Sequence, residues 1–255
     1  YGAEARKLFN DANRLLDQME ADNILTANAA FGIFPANSRG EDLLIYRDET
    51  RQEVLATFNT LRQQTVRKDN QYLSLADFIA PEDSGRIDYL GGFIVTAGLG
   101  AQEYAEQFRV AGDDYEALLV KLLADRLAEA FAELLHLLVR QDYWGYAPDE
   151  ALELPDLLKS RYRGIRPAFG YPSLRDHTEK EKLFALLGGQ DIGVSLTDSH
   201  MMEPGASVCG LYFASPEARY FDVNEIDRDQ FSAYQLRNGL PEPILKKSLG
   251  PVLRG

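Results

Sequence analysis

The eleven residues Arg161-Tyr-Arg-Gly-Ile-Arg-Pro-Ala-Phe-Gly-Tyr171 crowd guanidinium groups and phenol rings into one stretch, an equipment for holding a ligand rather than for breaking bonds. Pro167 fixes its own φ and pushes Arg166 into an extended conformation, Gly170 permits a turn closed to other residues, and Tyr171-Pro172 repeats the restriction. A stiff, extended loop follows. Its main-chain N–H and C=O groups are not consumed in a helix ladder, so they are free to face a ligand beside Arg166 and Tyr171. The same features suit a structural crossover between two elements, and composition alone leaves both readings open.

Other constellations carry less. Glu133-Leu-Leu-His136 has the E-x-x-H spacing of bundle di-iron sites, but neither His177 nor His200 has an acidic residue three before it to supply the second pair. Three scattered histidines and one cysteine do not make a zinc site either. Gly205-Ala-Ser-Val-Cys209 departs from the nucleophile elbow at its last position, so Ser207 and Cys209 read as packing residues. Gly98-x-Gly100 lacks the third glycine of a dinucleotide loop. No catalytic residue and no metal ligand is expected.

The elements that must position the loop follow from periodicity. Residues 3 to 20 place Ala5, Leu8, Phe9, Ala12, Leu15, Leu16 and Met19 at helical spacing. Phe31–Phe34 and Leu43–Tyr46 read as strands around the turn residues Pro35 to Gly40, and Asp48–Gln64 returns to helical spacing through Val54, Leu55, Phe58 and Leu61. Tyr72–Ile79 is short and runs into Pro81, whereas Tyr89–Thr96 is an apolar, β-branched buried strand. Asp113 or Asp114 caps a long helix to about Asp142, with Leu118, Leu119, Leu122, Leu123, Ala130, Phe131, Leu134, Leu135 and Leu138 on its buried side. Asp125, Glu129 and Glu133 form an acidic row on it that His136 and Arg140 continue; a solvated stripe is the default reading.

Beyond the helix, Pro155–Arg161 leads into the loop, and Asp176-x-x-Glu179 has the form of a capping box for a helix over His177–Leu187. Val194–Thr197 and Ala206–Ala214 read as strands, and Tyr220-Phe221 after the Ser215-Pro216 turn opens another. A closing helix with Phe231, Tyr234 and Leu236 and an extended Pro241/Pro243 end complete the chain.

Composition sets the outer bounds. At 255 residues and 45% hydrophobic the chain can bury a large core, as one domain or two closely packed lobes. The net charge of −13 opposes bulk binding to nucleic acid or anionic membrane. Lys159 to Lys182 nevertheless holds seven basic residues against three acidic ones, a local balance of +4 that could receive a carboxylate or an acidic partner. No run is long enough to cross a bilayer, no signal peptide or presequence is visible, and the single cysteine fits a reducing cytoplasm.

Arg166-Pro-Ala-Phe-Gly-Tyr171 matches the R-x-x-x-G-Y signature of the activation domain of cobalamin-dependent methionine synthase. Matching segments continue upstream, through Phe34-Pro-Ala-Asn37, Ile45-Tyr-Arg-Asp-Glu-Thr50, Leu61-Arg-Gln-Gln-Thr65, Leu75-Ala-Asp-Phe78, Ala124-Asp-Arg-Leu-Ala-Glu-Ala-Phe-Ala-Glu133 and Tyr143-Trp-Gly-Tyr-Ala-Pro148. Downstream lie His177-Thr-Glu-Lys180 and Pro204-Gly-Ala-Ser-Val208. In order across nearly the whole chain, these segments make it resemble that family.

The resemblance implies an α+β fold, a twisted, mainly antiparallel central sheet flanked by helices, with the ligand at a sheet edge. It implies that S-adenosyl-L-methionine is held by Arg166, Pro167, Ala168, Gly170 and Tyr171, with Tyr220 and Phe221 beside it; Phe221 stands where a tyrosine is familiar, which removes a hydroxyl. Asp125 and Glu129 are implied contacts to the cobalamin-binding domain of the same enzyme, which carries the cobalamin. The implied reaction restores methylcobalamin from cob(II)alamin with one electron from flavodoxin or an equivalent reductase and a methyl group from S-adenosylmethionine. No side-chain base is needed for it, because the sulfonium already activates the methyl group.

Residues 1–255 then form a C-terminal activation domain whose N-terminal part is missing: the chain starts at Tyr1, without an initiator methionine, inside a helical pattern. In the family an aspartate from that preceding segment contacts the ligand, and no position here inherits its role. The expected fragment supports a methyltransferase without catalysing by itself, in the cytoplasm, with neither nucleic acid nor membrane as partner. A docking module for the cobalamin domain and flavodoxin without ligand binding is the alternative, and an unrelated enzyme acting on a carboxylated small molecule is a third.

Overall fold

The structure, a computed structural model, describes residues 2–66, 68 and 70–254; Tyr1 and Gly255, the ends of the expected domain, lie outside the described residues. In chain order the principal elements are α1 (Gly2–Ala21), β1 (Thr26–Arg39), β2 (Asp42–Tyr46), β3 (Val54–Asn59), β4 (Asp88–Leu99), α2 (Ala101–Val110), α3 (Asp114–Leu138), α4 (Leu154–Leu157), α5 (Lys180–Leu187), β5 (Ser195–Leu196), β6 (Met202–Glu203), β7 (Ser207–Tyr212), α6 (Arg228–Asn238) and α7 (Glu242–Leu249). Five strands form one sheet in the order β3-β2-β1-β4-β7, and β5 pairs with β6. The α+β expectation holds. The chain packs as two units.

The first unit comprises Tyr1–Ala30, Ile94–Leu135 and Gly188–Val208. Leu15 and Met19 of α1 meet Tyr104 and Ala105 of α2 and Val120 and Ala124 of α3 in one apolar cluster. Gly100, at φ +91°, starts α2 where any Cβ would sit 2.2 Å from the Ile24 carbonyl oxygen. Asp113 opens α3 as foreseen, accepting the Glu116 N–H at 3.0 Å.

The buried face of α3 takes in only part of the expected leucine face: Leu119, Leu123 and Leu135 are buried. Leu118, Leu122 and Leu134 are 66%, 48% and 50% exposed, while Val120, Ala124, Ala128 and Ala132 are buried. Small side chains at four-residue spacing let a helix approach its neighbours closely, and closeness of packing outweighs side-chain size here. His136 and Arg140 extend this stripe and are both completely buried, one helical position away from the acidic row to which spacing had joined them.

The second unit comprises Phe31–Phe93, His136–Leu187 and Cys209–Gly255. β1 runs on through Pro35, Asn37 and Ser38, which had read as turn; the actual turn is at Gly40, φ +59°. The helix expected over Asp48–Gln64 is instead β3, paired antiparallel with β2 through Leu43↔Phe58 and Ile45↔Ala56. Pairing buries Phe58, while Val54 and Leu55 stay 42% and 44% exposed. Tyr220-Phe221 lies in irregular chain, not in a strand, and the extended tail is replaced by α7, with Pro241 and Pro243 at its start.

The capping box at Asp176 is only half formed. Asp176 accepts the Thr178 N–H at 2.9 Å, but the fully buried Glu179 turns inward, accepting Asn59 N–H at 3.0 Å, Lys182 Nζ at 2.6 Å and Asn238 Nδ2 at 2.7 Å. Burial pushes its carboxyl up from 4.5 to about 7, against the opposing pull of Lys182. Between those values the folded chain keeps a proton the unfolded chain has lost. Stability therefore falls as pH rises through that window, by at most about 1.4 kcal/mol per pH unit. Urea denaturation from pH 4.5 to 7.5 checks this: Glu179→Gln flattens the slope, and an unchanged slope would refute the assignment.

Candidate functional site

Residues 161–174 are shaped by β7. Ile165 exchanges both hydrogen bonds with Phe213 at 3.0 Å, Pro167 C=O accepts the Leu211 N–H at 3.1 Å, and the Phe169 N–H reaches Cys209 C=O at 3.4 Å. The segment thus lies along the outer edge of β7 as a short, irregular strand. Gly210 makes this possible, since a Cβ there would stand 2.3 Å from the Pro167 oxygen. The expectation of a free main chain is corrected for Ile165, Pro167 and Phe169, whose polar groups are spent on the sheet.

The turn follows at once. Gly170 adopts φ +91° with its N–H on Leu174 C=O at 2.8 Å, and the His177 ring occupies the space a side chain would need, 2.2 Å from an ideal Cβ. Lys180, itself buried, holds that imidazole at Nδ1 over 2.9 Å. Tyr171 emerges from the turn 57% exposed.

Tyr220, 54 residues further on, returns to the same place: its hydroxyl oxygen accepts the Arg166 N–H at 3.0 Å. Although the residue is 47% exposed, the hydroxyl end is the buried end, and desolvation there pushes the phenol well above its ordinary range, so it stays protonated. Arg166 is half-buried and Ala168 likewise, while Pro167 is buried. Phe221 faces the other way, 8% exposed and edge-on to Phe78 at 6.2 Å, so it anchors the chain under Tyr220.

Behind this group lies a polar and aromatic network that the sequence did not reveal. Arg140 carries Glu150 as a partner, Nε and Nη2 both reaching Oε1, at 2.9 and 2.6 Å. Its guanidinium covers the Tyr162 ring at 4.1 Å. His136 stacks on Tyr212 at 5.0 Å and stands edge-on to Tyr162 at 4.9 Å, and Tyr212 stacks in turn on Phe93 at 4.6 Å. Burial, with Arg140 and Arg166 nearby, drives the imidazole well below its usual range, so it is neutral. Helical spacing could have placed His136 and Arg140 together, but nothing in the sequence linked them to Tyr162.

The basic patch between Lys159 and Lys182 does not form as a group. Arg161 pairs with Asp156 at 2.8 Å, Arg163 and Arg175 donate to carbonyls of Ala214 and Val223, and Lys182 is committed to Glu179. Asp125 and Glu129 sit on α3 in the first unit, the former exposed and the latter half-buried. Of the expected ligand residues, Arg166 and Tyr220 are joined by their hydrogen bond, and Tyr171 is exposed beyond the Gly170 turn. Their chemistry suits a ligand with a carboxylate for the guanidinium and a cationic or aromatic part for the rings. No helix among the described residues is long and apolar enough to cross a membrane, and no cluster of metal-ligating side chains occurs among them.

Comparison with known proteins gives two findings. The family model described as vitamin B12 dependent methionine synthase, activation domain, matches residues 1–239. A solved structure described as the MetH reactivation domain bound to AdoHcy superposes with a TM-score of 0.96 at 47% identity, covering 100% of this chain and 78% of that one.

Proposed function

Because the chain belongs to the activation-domain family of vitamin B12-dependent methionine synthase, we propose that it binds S-adenosylmethionine and presents it during reductive methylation of the cobalamin of that enzyme. The observation that supports this reading is the hydrogen bond from Arg166 N–H to the Tyr220 hydroxyl, which joins the Arg166 loop to a residue 54 positions further on. The solved relative at 47% identity was determined with AdoHcy, the demethylated form of the same ligand.

Arg166 receives the ligand carboxylate, the fork of its guanidinium matching two oxygens. The accessible rings of Tyr171 and Tyr220 cover the adenine or the sulfonium. Gly170 brings the main chain close, and Pro167 and Ala168 hold it extended; Phe221 supports Tyr220 from the core side. The methyl donor supplies an activated carbon and the cobalamin, on its own domain, the nucleophile once reduced by flavodoxin or an equivalent protein. The role of this chain is to position, and by itself it is not a catalyst.

Asp125, exposed on α3, and Glu129 beside it serve as contacts to the cobalamin-binding domain. The reducing cytoplasm is the setting that a reduced cobalt and the buried thiol of Cys209 both suit.

Isothermal calorimetry with S-adenosylmethionine tests the reading. Saturable binding is expected, and Arg166→Ala weakens it about 10- to 100-fold, the range for one charge-assisted contact. Equal affinity in the variant overturns the site. No heat with wild type but retained flavodoxin binding supports a docking module instead, a role for which the exposed Leu118, Leu122 and Asp125 of α3 speak.

A further inference from the structure

The Gly170 turn, from which Tyr171 emerges, lies on an imidazole. Cε1 and Nε2 of His177 stand 2.2 and 2.5 Å from the place an ideal Gly170 Cβ would take. Only glycine, here at φ +91°, lets ring and main chain meet so closely. The turn closes on itself through Gly170 N–H to Leu174 C=O at 2.8 Å, Leu174 N–H to Tyr171 C=O at 3.0 Å and Tyr171 N–H to Ala168 C=O at 3.3 Å. Those bonds set its shape, whereas its place depends on what it lies against.

His177 is held at both main chain and ring. Its N–H donates to Ser248 Oγ of α7 at 2.9 Å. Its ring is met by Lys180, three residues on, with Nζ 2.9 Å from Nδ1. An ammonium has donors only, so Nδ1 is the acceptor and the ring proton sits on Nε2, an atom that faces Gly170. Lys180 is 3% exposed, and burial pulls its pKa below the ordinary lysine value. A lysine kept out of water costs stability, and here the cost goes with the orientation of one ring.

We propose that Lys180 is a positioning residue of the ligand site: by fixing the His177 ring in one orientation and one tautomer it sets the Gly170 turn, and with it Tyr171 and the main chain of Ala168. Buried, it touches no ligand itself. The inference rests on the S-adenosylmethionine reading and deepens it, because it names a buried cation on which affinity depends.

The test is a double-mutant cycle on this chain, read by calorimetry with S-adenosylmethionine, by thermal unfolding and by the NMR shifts of the imidazole nitrogens. Lys180→Met keeps the length of the side chain and removes its charge and its donors. The expected result is an affinity about 5- to 10-fold weaker, the size of one hydrogen bond. The unfolding midpoint stays at or above wild type, because a buried charge has gone. A merely structural role would instead lower midpoint and affinity together. The wild-type His177 nitrogens show the Nε2–H tautomer, with His177→Ala assigning the signals, and Lys180→Met loses that preference. His177→Ala weakens binding by at least as much as Lys180→Met, and combining the two costs nothing more, because Lys180 acts through the ring. The tautomer is read on the wild-type chain, so it decides even where Lys180→Met does not fold. Wild-type affinity in Lys180→Met, a midpoint that falls with the affinity, additive losses, or an Nδ1–H tautomer in wild type overturns the inference while leaving the ligand site standing. Absence of binding by the wild-type chain overturns both.

Discussion

Glu150→Ala is expected to remove about 3–5 kcal/mol of stability, because it leaves the Arg140 charge buried without a counter-ion. The Arg140 side chain has no exposure and the Glu150 side chain only 8%, so water cannot take over the lost contacts. Arg140 Nη1 is already buried without a hydrogen-bond partner, which leaves the guanidinium little further tolerance. An exposed pair such as Arg47–Glu53, with side chains 55% and 59% accessible, is expected to contribute little, because solvent screens it. Urea unfolding of Glu150→Ala and Glu53→Ala compares the two directly. A Glu150→Ala loss as small as that of Glu53→Ala would mean that the interior around Arg140 is wet.

The second large effect lies at Gly210. A methyl group there must displace the Pro167 carbonyl, 2.3 Å from the ideal Cβ, and the Phe93 ring edge at 3.0 Å, so Gly210→Ala pushes the loop off β7. Overpacking of this kind costs about 1–3 kcal/mol. The functional loss is expected to be larger than stability alone explains: with the Leu211–Pro167 and Phe169–Cys209 bonds strained, Arg166 moves from its place beside Tyr220, and ligand affinity falls by at least about tenfold. Thermal unfolding and calorimetry separate the two. Wild-type affinity in a folded Gly210→Ala chain would show that docking on β7 is not what shapes the site.

How much of this could be read in the residues divides along a physical line. Backbone constraints were legible: Pro167 and Gly170 announced an extended segment ending in a sharp turn, and both features are present. Tertiary pairing was not. Val54–Asn59 has apolar residues that fit either period, and only hydrogen bonding to β2 selects the strand. The face of α3 was partly legible: Leu119, Leu123 and Leu135 are buried as expected, while Leu118, Leu122 and Leu134 are displaced from the core by the neighbouring alanines, which let helices come close. His136 and Arg140 looked like the end of a solvated row, and their burial depends on Glu150 and Tyr162, which are distant in sequence or hidden in a loop. The basic stretch looked like a surface because no sequence rule shows which cations are already committed to carbonyls and carboxylates nearby. Tyr220 was placed beside the Arg166 loop by resemblance to a family; its spacing of 54 residues from Arg166 carries no such information.

The lie of the Arg166 segment along β7 has one more consequence. β7 closes the sheet order, so its outward amides and carbonyls would otherwise be a template on which a foreign strand could grow. The segment proposed to hold the ligand thereby also acts as a guard rail, covering the edge on which another copy of the chain could otherwise zip onto the sheet.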